Sequence, residues 1–490
     1  MSLDYDYDLI VIGSGPAGFS CAIQASKFNK RILVVEASAD HHGGTWINTG
    51  TVPSKALREA ASIIYKYYKH LAKEDVKPFD RFRMEDLLQY KQSTLETKNR
   101  KVRQDLEKNE IDTVYGFGTL ESAHSVKVTP REGPTNTYSA EFILVSTGSS
   151  PTPPADSLGP DTDILNYESI LRLTHIPRRL VILGGSVNAV EYATIFACLG
   201  TRVTILNDQE DLLFYLDHEV KEHLFKAFRK RGITVYHSVD VEDIRENALR
   251  NYTEVSFRDD ITGRMQVIET EHVLHFGKYK PNTDRLNLAE VGITVDEGGY
   301  IEVDSSYKTG IPSVYAAGDI IGLPTLASVS FLQGRLAACD MFGISELEMS
   351  CDIPFGIYSI PEMAGIGLTE NDAREMGLEY TVGRAFYSNV TQADIGHEEE
   401  GLLKLVFHTR SLKLLGVHII GEGAADLIHL GQSIMASGED IRYFISHVVN
   451  YPSYTEAYRI AAFNGFNRVH KAGVKYRHIL ESSEARERQE

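Results

Sequence analysis

The chain opens on an apolar run, YDLIVIG at 7–13, of strand length and ended by glycine. A helical pattern follows from Pro16 to Phe28, then a second apolar run, RILVVE, which ends at Glu36. Strand, helix and strand in so short a span predict a βαβ unit, the opening of a doubly wound parallel sheet. Helix-period patterns cover 53–71 and 84–108; in the second, Leu88, Leu95, Val102 and Leu106 predict a buried stripe. A Pro/Gly-rich segment at 150–160 marks a boundary, and beyond it the opening recurs as RRLVILGGSVNAVEYATIFACLG followed by TRVTILN. The repeat predicts two units of one kind. From about 346 the runs FGIYSI, GLLKLVF and LLGVHIIG alternate with helical patterns and carry no glycine fingerprint, which predicts a third, α+β unit. The last 20 residues are charged and aperiodic, the pattern of a frayed tail.

Composition narrows the class of molecule. A chain of 490 residues exceeds one ordinary core and suggests about three domains. No window approaches the ~20 apolar residues of a membrane span. The acidic start, MSLDYDYD, lacks the basic region of a secretory leader, so no targeting segment is expected. A net charge of −18 argues against nucleic acid and anionic membranes as partners. The four cysteines, Cys21, Cys198, Cys339 and Cys351, form no CxxC pair and no metal-ligand spacing, which fits a cytoplasmic protein without a metal site.

Gly13, Gly15 and Gly18 form GxGxxG between the first strand and helix. Gly13 permits the tight turn, Gly15 lets a pyrophosphate approach the backbone, and Gly18 lets the helix pack on the strand. Glu36, at the end of the second strand, is placed to accept hydrogen bonds from a ribose. The motif does not distinguish FAD from NAD. Further along, residues 309–319 (TGIPSVYAAGD) resemble the TxxxxxYAxGD segment of flavoproteins with two dinucleotide folds, which implies that Asp319, after Gly318, binds the ribityl chain of FAD.

Residues 43–55, GGTWINTGTVPSK, look like GGTCxNxGCxPSK, the redox signature of the class I pyridine nucleotide-disulfide oxidoreductase family, to which dihydrolipoamide dehydrogenase and glutathione reductase belong. Trp46 and Thr51 stand where that signature has its cysteines. Residues 450–456, NYPSYTE, resemble HPTxxE, with Tyr451 at the histidine's place and Glu456 retained. A phenol is a poor base at neutral pH, but without a thiol no such base is needed. Within the family the chain most resembles the soluble pyridine nucleotide transhydrogenases, through NYPSYTEAYR at 450–459, Leu212-Leu213 with Leu216-Asp217, GLPTLAS at 322–328 and IYSIPE at 357–362. The likeness spans about 5–470. It implies an FAD-binding domain made of 1–155 and 280–345, an NAD(P)-binding domain at 156–279, a dimerisation domain at 346–470 and a tail at 471–490. It further implies FAD contacts from Gly44, Thr45, Trp46, Thr51, Lys55, Thr147, Gly148, Leu326 and Ala327. Trp46, the only tryptophan, either lies against the flavin or plugs the channel of a disulfide substrate.

The second fingerprint is imperfect: Gly184 and Ala189 fit, while Ser186 replaces the middle glycine. The resemblance pairs Glu191 in the following helix with Lys55, beside the flavin, and adds Asn207 and Gly277 to the nicotinamide site. The strand ends in Asn207, Asp208, Gln209, Glu210 and Asp211, where the transhydrogenases carry arginine. Unless Arg202 or Lys278 reaches a 2′-phosphate, the acids favour NADH. The leading expectation is an FAD-dependent enzyme that exchanges hydride between NADH or NADPH and NAD(P)+ by a ping-pong route. Two alternatives stand beside it: an NAD(P)H dehydrogenase that reduces a quinone or another acceptor, and a non-catalytic flavin-binding subunit. By the same resemblance the protein is a homodimer, with Tyr451 and Glu456 facing the partner's flavin.

Overall fold

The computed structural model describes residues 5–70, 83–152, 164–247, 252–344, 347–398 and 400–487. Strands β1 (Tyr7–Ile12) and β2 (Ile32–Glu36) pair in parallel, joined by helix α1 (Pro16–Ser26). Every residue of β2 is buried, as a strand covered on both faces requires, which explains its unbroken apolar run. α1 stops two residues short of Phe28, and Asn29 turns the chain with φ 56°. The sheet runs Asp112–Tyr115, β2, β1, Asn136–Val145, Ser125–Thr129 and Phe117–Ser122; Val314–Ala316 returns from far along the chain to lie parallel beside Asn136–Val145.

Three helices follow β2: α2 (Thr45–Asn48), α3 (Thr51–His70) and α4 (Met84–Lys108). α3 begins two residues before the expected start, at Thr51. The stripe of α4 differs from the expected one at its beginning. Met84 and Leu87 are buried with Leu95, Val102 and Leu106, whereas Leu88 is only half-buried against the same core. The stripe thus opens on Met84 and Leu87, three residues apart on one helix face, and Leu88 sits at its edge.

The second unit is a five-stranded parallel sheet in the order Ile233–Tyr236, Arg202–Leu206, Arg179–Leu183, His272–His275, Ile164–Leu165. Helix α5 (Val187–Cys198) crosses from its third strand to its second. A three-stranded antiparallel ribbon over residues 239–270 covers it. Ser149–Pro151 pairs with Tyr279–Pro281 and links this unit to the first; of the 150–160 boundary segment, 153–160 lie outside the described residues. The third unit is an antiparallel sheet ordered Phe355–Ile357, Met363–Gly367, Leu414–Ile420, Leu402–His408, Tyr380–Phe386. The last helix spans Glu456–Glu487 and so continues as helix through the segment expected to fray. One apolar cluster runs from Leu57 and Ala61 of α3 through Val190 and Ala193 of α5 to Ile357 and Met363, so the three units share a core. Among the described residues no helix is long and apolar enough to cross a membrane.

Candidate functional site

The turn after β1 is shaped by close approaches. Gly13 has φ 100° and donates its N–H to the Val35 carbonyl at 2.8 Å; a Cβ there would lie 2.5 Å from the Ser146 oxygen. A Cβ on Gly18 would fall 1.9 Å from the Gly13 oxygen, so only glycine lets α1 lie this close to β1. Gly15 is the opposite case. It caps α1, and nothing stands within 4 Å of where its Cβ would be, which leaves open space at a helix N-terminus. That space suits a pyrophosphate, since the first-turn N–H groups lack intrahelical partners.

Glu36 is buried at the rim of this space. Its Oε2 accepts from the Ser14 N–H at 3.0 Å and from the Ser14 hydroxyl at 2.5 Å, while that hydroxyl accepts the Gly43 N–H at 3.0 Å. The acid thereby ties the 43–44 loop across the turn, and a Cβ on Gly44 (φ 70°) would lie 3.0 Å from the Gly15 Cα. On the other side, Gly318 (φ 84°) donates to Gln333 Oε1 at 2.8 Å and approaches the Ala17 methyl. Asp319 is half-buried beside it. Burial pushes its carboxyl up, against hydrogen bonds from Ser149 (3.3 Å) and Ser330. Leu326 and Ala327 start the helix Ala327–Met341, whose Gly334 packs directly on the Ala17 carbonyl. Thr147 and Gly148 (φ 69°) are fixed by exchange of hydrogen bonds with Asn282. These residues fit FAD: the open helix end at Gly15 lies beside the buried acid Glu36, and Gly318, next to the second acid Asp319, packs against Ala17 of the same helix.

Thr45 and Thr51 begin α2 and α3 and are exposed. The Trp46 ring meets Phe331 edge-on at 5.2 Å, and its indole N–H is buried with no partner among the described residues. One turn into α3, the Lys55 ammonium donates to Glu191 Oε2 at 2.7 Å. Glu191 is almost wholly buried, and its Oε1 accepts the Tyr358 N–H at 2.9 Å. The Tyr358 ring lies 4.9 Å from the same ammonium. Lys55 comes from the first unit, Glu191 from the second and Tyr358 from the third, so the expected pair is formed where all three meet.

In the second turn Gly184 (φ 85°) donates to the Leu206 oxygen at 2.8 Å. Ser186 is the N-cap of α5, its hydroxyl accepting the Ala189 N–H at 3.3 Å. Asn207 is buried, and its amide donates to the carbonyls of Gln209 (2.9 Å) and Asp211 (3.3 Å), so it holds its own loop. Gly277 (φ 69°) takes the chain past Thr152, where a Cβ would lie 2.3 Å from an oxygen. Tyr451 and Glu456 bond elsewhere than the Lys55–Glu191 pair. Tyr451 is 66% exposed and shares a 2.8 Å hydrogen bond with Thr391, while Glu456 Oε1 accepts from Arg459 at 2.8 Å. Glu456 Oε2 is buried without a partner among the described residues.

Sequence reasoning missed two buried ionic groups. Arg58, one turn beyond Lys55, meets Glu362 at 2.9 Å; burial pushes that carboxyl up against the guanidinium. Lys404 is fully buried against Asp217, Glu219 and Glu370. The lone lysine in GLLKLVF was the available signal for the second. All four cysteines are free thiols, three of them buried.

Among solved structures, the HOCl-induced flavoprotein disulfide reductase RclA of Escherichia coli matches with a TM-score of 0.82 at 23% identity, covering 93% of this chain and 99% of that one. LpdA of Mycobacterium tuberculosis matches with a TM-score of 0.83 at 23% identity, over 93% and 98%. Both likenesses concern the fold. Among sequences, the soluble pyridine nucleotide transhydrogenase of Marinomonas sp. (strain MWYL1) is 35% identical over 466 residues, 94% of this chain and 99% of that protein. That of Pseudomonas putida (strain W619) is 35% identical over 468 residues, 95% and 99%. The model of the pyridine nucleotide-disulphide oxidoreductases matches residues 7–334, and that of their dimerisation domain matches 353–462. With most of its length matched in this way, the chain belongs to the pyridine nucleotide-disulphide oxidoreductase family.

Proposed function

We propose that this protein is an FAD-dependent pyridine nucleotide transhydrogenase that moves hydride between NADH or NADPH and NAD(P)+ without a redox disulfide. The observation that carries the reading is the 2.7 Å Lys55–Glu191 pair, built from both nucleotide-binding units and pinned by Tyr358. Gly13, Gly15, Gly18, Glu36 and Asp319 would hold FAD, which when bound supplies a two-electron carrier that accepts hydride from one nicotinamide and returns it to another. A buried ion pair contributes little net stability, so its value lies in placing one ammonium. Glu191 fixes that charge at the mouth between the units, where it can brace an electron-rich ring and orient a nicotinamide.

The segment 43–55 holds no thiol. In this reading Trp46 and Thr51 occupy the places of the redox cysteines, a neutral hydroxyl and an indole close the thiol path, and Tyr451 has no proton to collect. The domain limits 1–155 with 280–345, 156–279 and 346–470 belong to the same reading. So does a cytoplasmic homodimer, in which a second copy would supply the partner that the buried Glu456 Oε2 lacks among the described residues.

The test is anaerobic mixing of the purified yellow protein with NADH and, separately, NADPH, followed through the flavin's visible band. Bleaching, then recovery of colour on addition of the other oxidised nucleotide, is the expected outcome. Bleaching that only a quinone or oxygen reverses would refute hydride exchange, and no bleaching by either nucleotide would refute a nicotinamide enzyme altogether.

A further inference from the structure

In a doubly wound unit the 2′ position of the adenine ribose lies at the end of the second strand, where an acid suits a free hydroxyl and an arginine suits a phosphate. That strand is Arg202–Leu206, parallel to Arg179–Leu183 and ending against Asn207. The buried Asn207 amide folds the following loop back on itself through the carbonyls of Gln209 and Asp211. Asp208, Gln209, Glu210 and Asp211 are thereby presented together as an exposed rim. Asp211 is matched by an ion pair with Lys221, whereas Asp208 and Glu210 make no ion pair with Lys or Arg among the described residues.

The cations that could offset this charge are placed badly for it. Arg202 begins the strand, about 13 Å from its far end at the ~3.3 Å rise of a parallel strand. Lys278 follows the strand His272–His275, which is two places over in the sheet, about 10 Å away at the usual strand spacing. The two histidines at the rim are His237, whose Nδ1 lies 3.3 Å from the Asn207 amide, and His275. Burial pushes both down, against the carboxylates Asp211 and Asp208 respectively, so neither supplies a charge at neutral pH.

We propose that this rim selects NADH over NADPH: Asp208 and Glu210 accept hydrogen bonds from the ribose hydroxyls and repel a 2′-phosphate. The inference rests on the reading of the chain as a nicotinamide nucleotide enzyme and adds which nucleotide it prefers. NADH becomes the efficient donor, and NADPH the poor one.

The experiment is stopped-flow reduction of the FAD-loaded protein by NADH and by NADPH over a range of concentrations, at low and at high salt. NADH should be favoured by about tenfold or more in kcat/KM, and the gap should narrow with salt, because exposed charges are screened within ~10 Å at 0.1 M. The Asp208→Asn/Glu210→Gln double variant should move the ratio toward NADPH by about fivefold or more, the direction expected when two like charges leave a phosphate site. Flavin content checks that the variant is folded. Equal efficiency with the two donors, or a preference for NADPH, would overturn the selectivity and leave hydride exchange standing. So would a double variant that slows both donors alike. Reduction by neither nucleotide would overturn the underlying reading and the selectivity together.

Discussion

Replacing Lys404 with methionine probes a buried cluster of charge. Its ammonium donates to Asp217 Oδ1 at 3.0 Å and Oδ2 at 2.9 Å, and lies 2.7 Å from Glu219 and 2.8 Å from Glu370. Arg384, one strand over, grips Glu219 with two bonds of 2.6 Å. Arg374 meets Glu370 at 3.6 Å, so three carboxylates face three cations and the cluster is formally neutral. Lys404→Met leaves it at −1 and sets an aliphatic chain against Asp217, which is 1% exposed. Asp217 cannot swing out to water, because it also caps the helix His218–Arg231 by accepting the Glu219 N–H at 3.0 Å. Removal of one partner from a buried pair costs about 3–5 kcal/mol, and the lack of relaxation puts this site within that range. Urea unfolding of Lys404→Met, Asp217→Asn and the double variant measures it. The double variant should be clearly more stable than the sum of the single losses, since it removes a buried charge as well as its partner. A single-variant loss below about 1 kcal/mol, or strict additivity, would refute the description of this cluster as a desolvated and mutually dependent set.

Two further outcomes follow from the same geometry. Gly18→Ala places a methyl 1.9 Å from the Gly13 carbonyl, so α1 must shift at a cost of about 1–3 kcal/mol and the purified protein should lose most of its yellow colour; Gly15→Ala, with open space at that point, should keep native circular dichroism and lose flavin only, and unfolding of this second variant would contradict the assignment. Acid should weaken the protein through Glu219: burial alone would raise its carboxyl, but hydrogen bonds from Arg384 and Lys404 outweigh it and lower the value from 4.5 to about 2. A carboxyl depressed in the folded state contributes fully above its unfolded value and loses that contribution as pH falls toward the folded one. The urea midpoint should therefore drop as pH is taken from about 5 toward 2, and Arg384→Met should flatten that drop.

The parts of this molecule legible from sequence are those whose causes are local. Gly13, Gly15 and Gly18 announce a turn because the strand, the glycines and the helix are contiguous, and the turn forms as expected. Helix periods located α3 and α4 to within two residues, yet could not separate Leu87 from Leu88, because adjacent residues share the edge of a broad apolar stripe. The Lys55–Glu191 pair spans 136 residues and was foreseeable only through family resemblance. Lys404 spans 187 residues to Asp217, and nothing local marks Asp217, Glu219 and Glu370 as its partners. A single lysine in an apolar strand says that some anion must meet it, but which one is decided by the packing of the second unit on the third. The resemblance puts Asn207 at the nicotinamide site; in the structure its amide also holds the loop that carries the exposed acids, a bond that nothing local in the sequence marks.

The two turns differ at their middle position, where Gly15 stands in the first and Ser186 in the second. Gly15 and Ser186 adopt nearly the same backbone, φ −61° and ψ −177° against φ −67° and ψ 165°, both open to any residue. Serine therefore costs no strain, and what the glycine contributes at this place is room. In the first turn that room is kept, and the helix end is free to close on a phosphate. In the second, the Ser186 hydroxyl already accepts the Ala189 N–H, one of the donors a helix start offers to an anion. A nucleotide binding there would displace that cap or share the remaining donors, a competition that a ligand at Gly15 would not meet. Under the proposed exchange, a flavin retained through turnover would suit the open turn. A nicotinamide nucleotide that leaves before the next enters would suit the capped one, since its departure would return the N–H to a partner already in place.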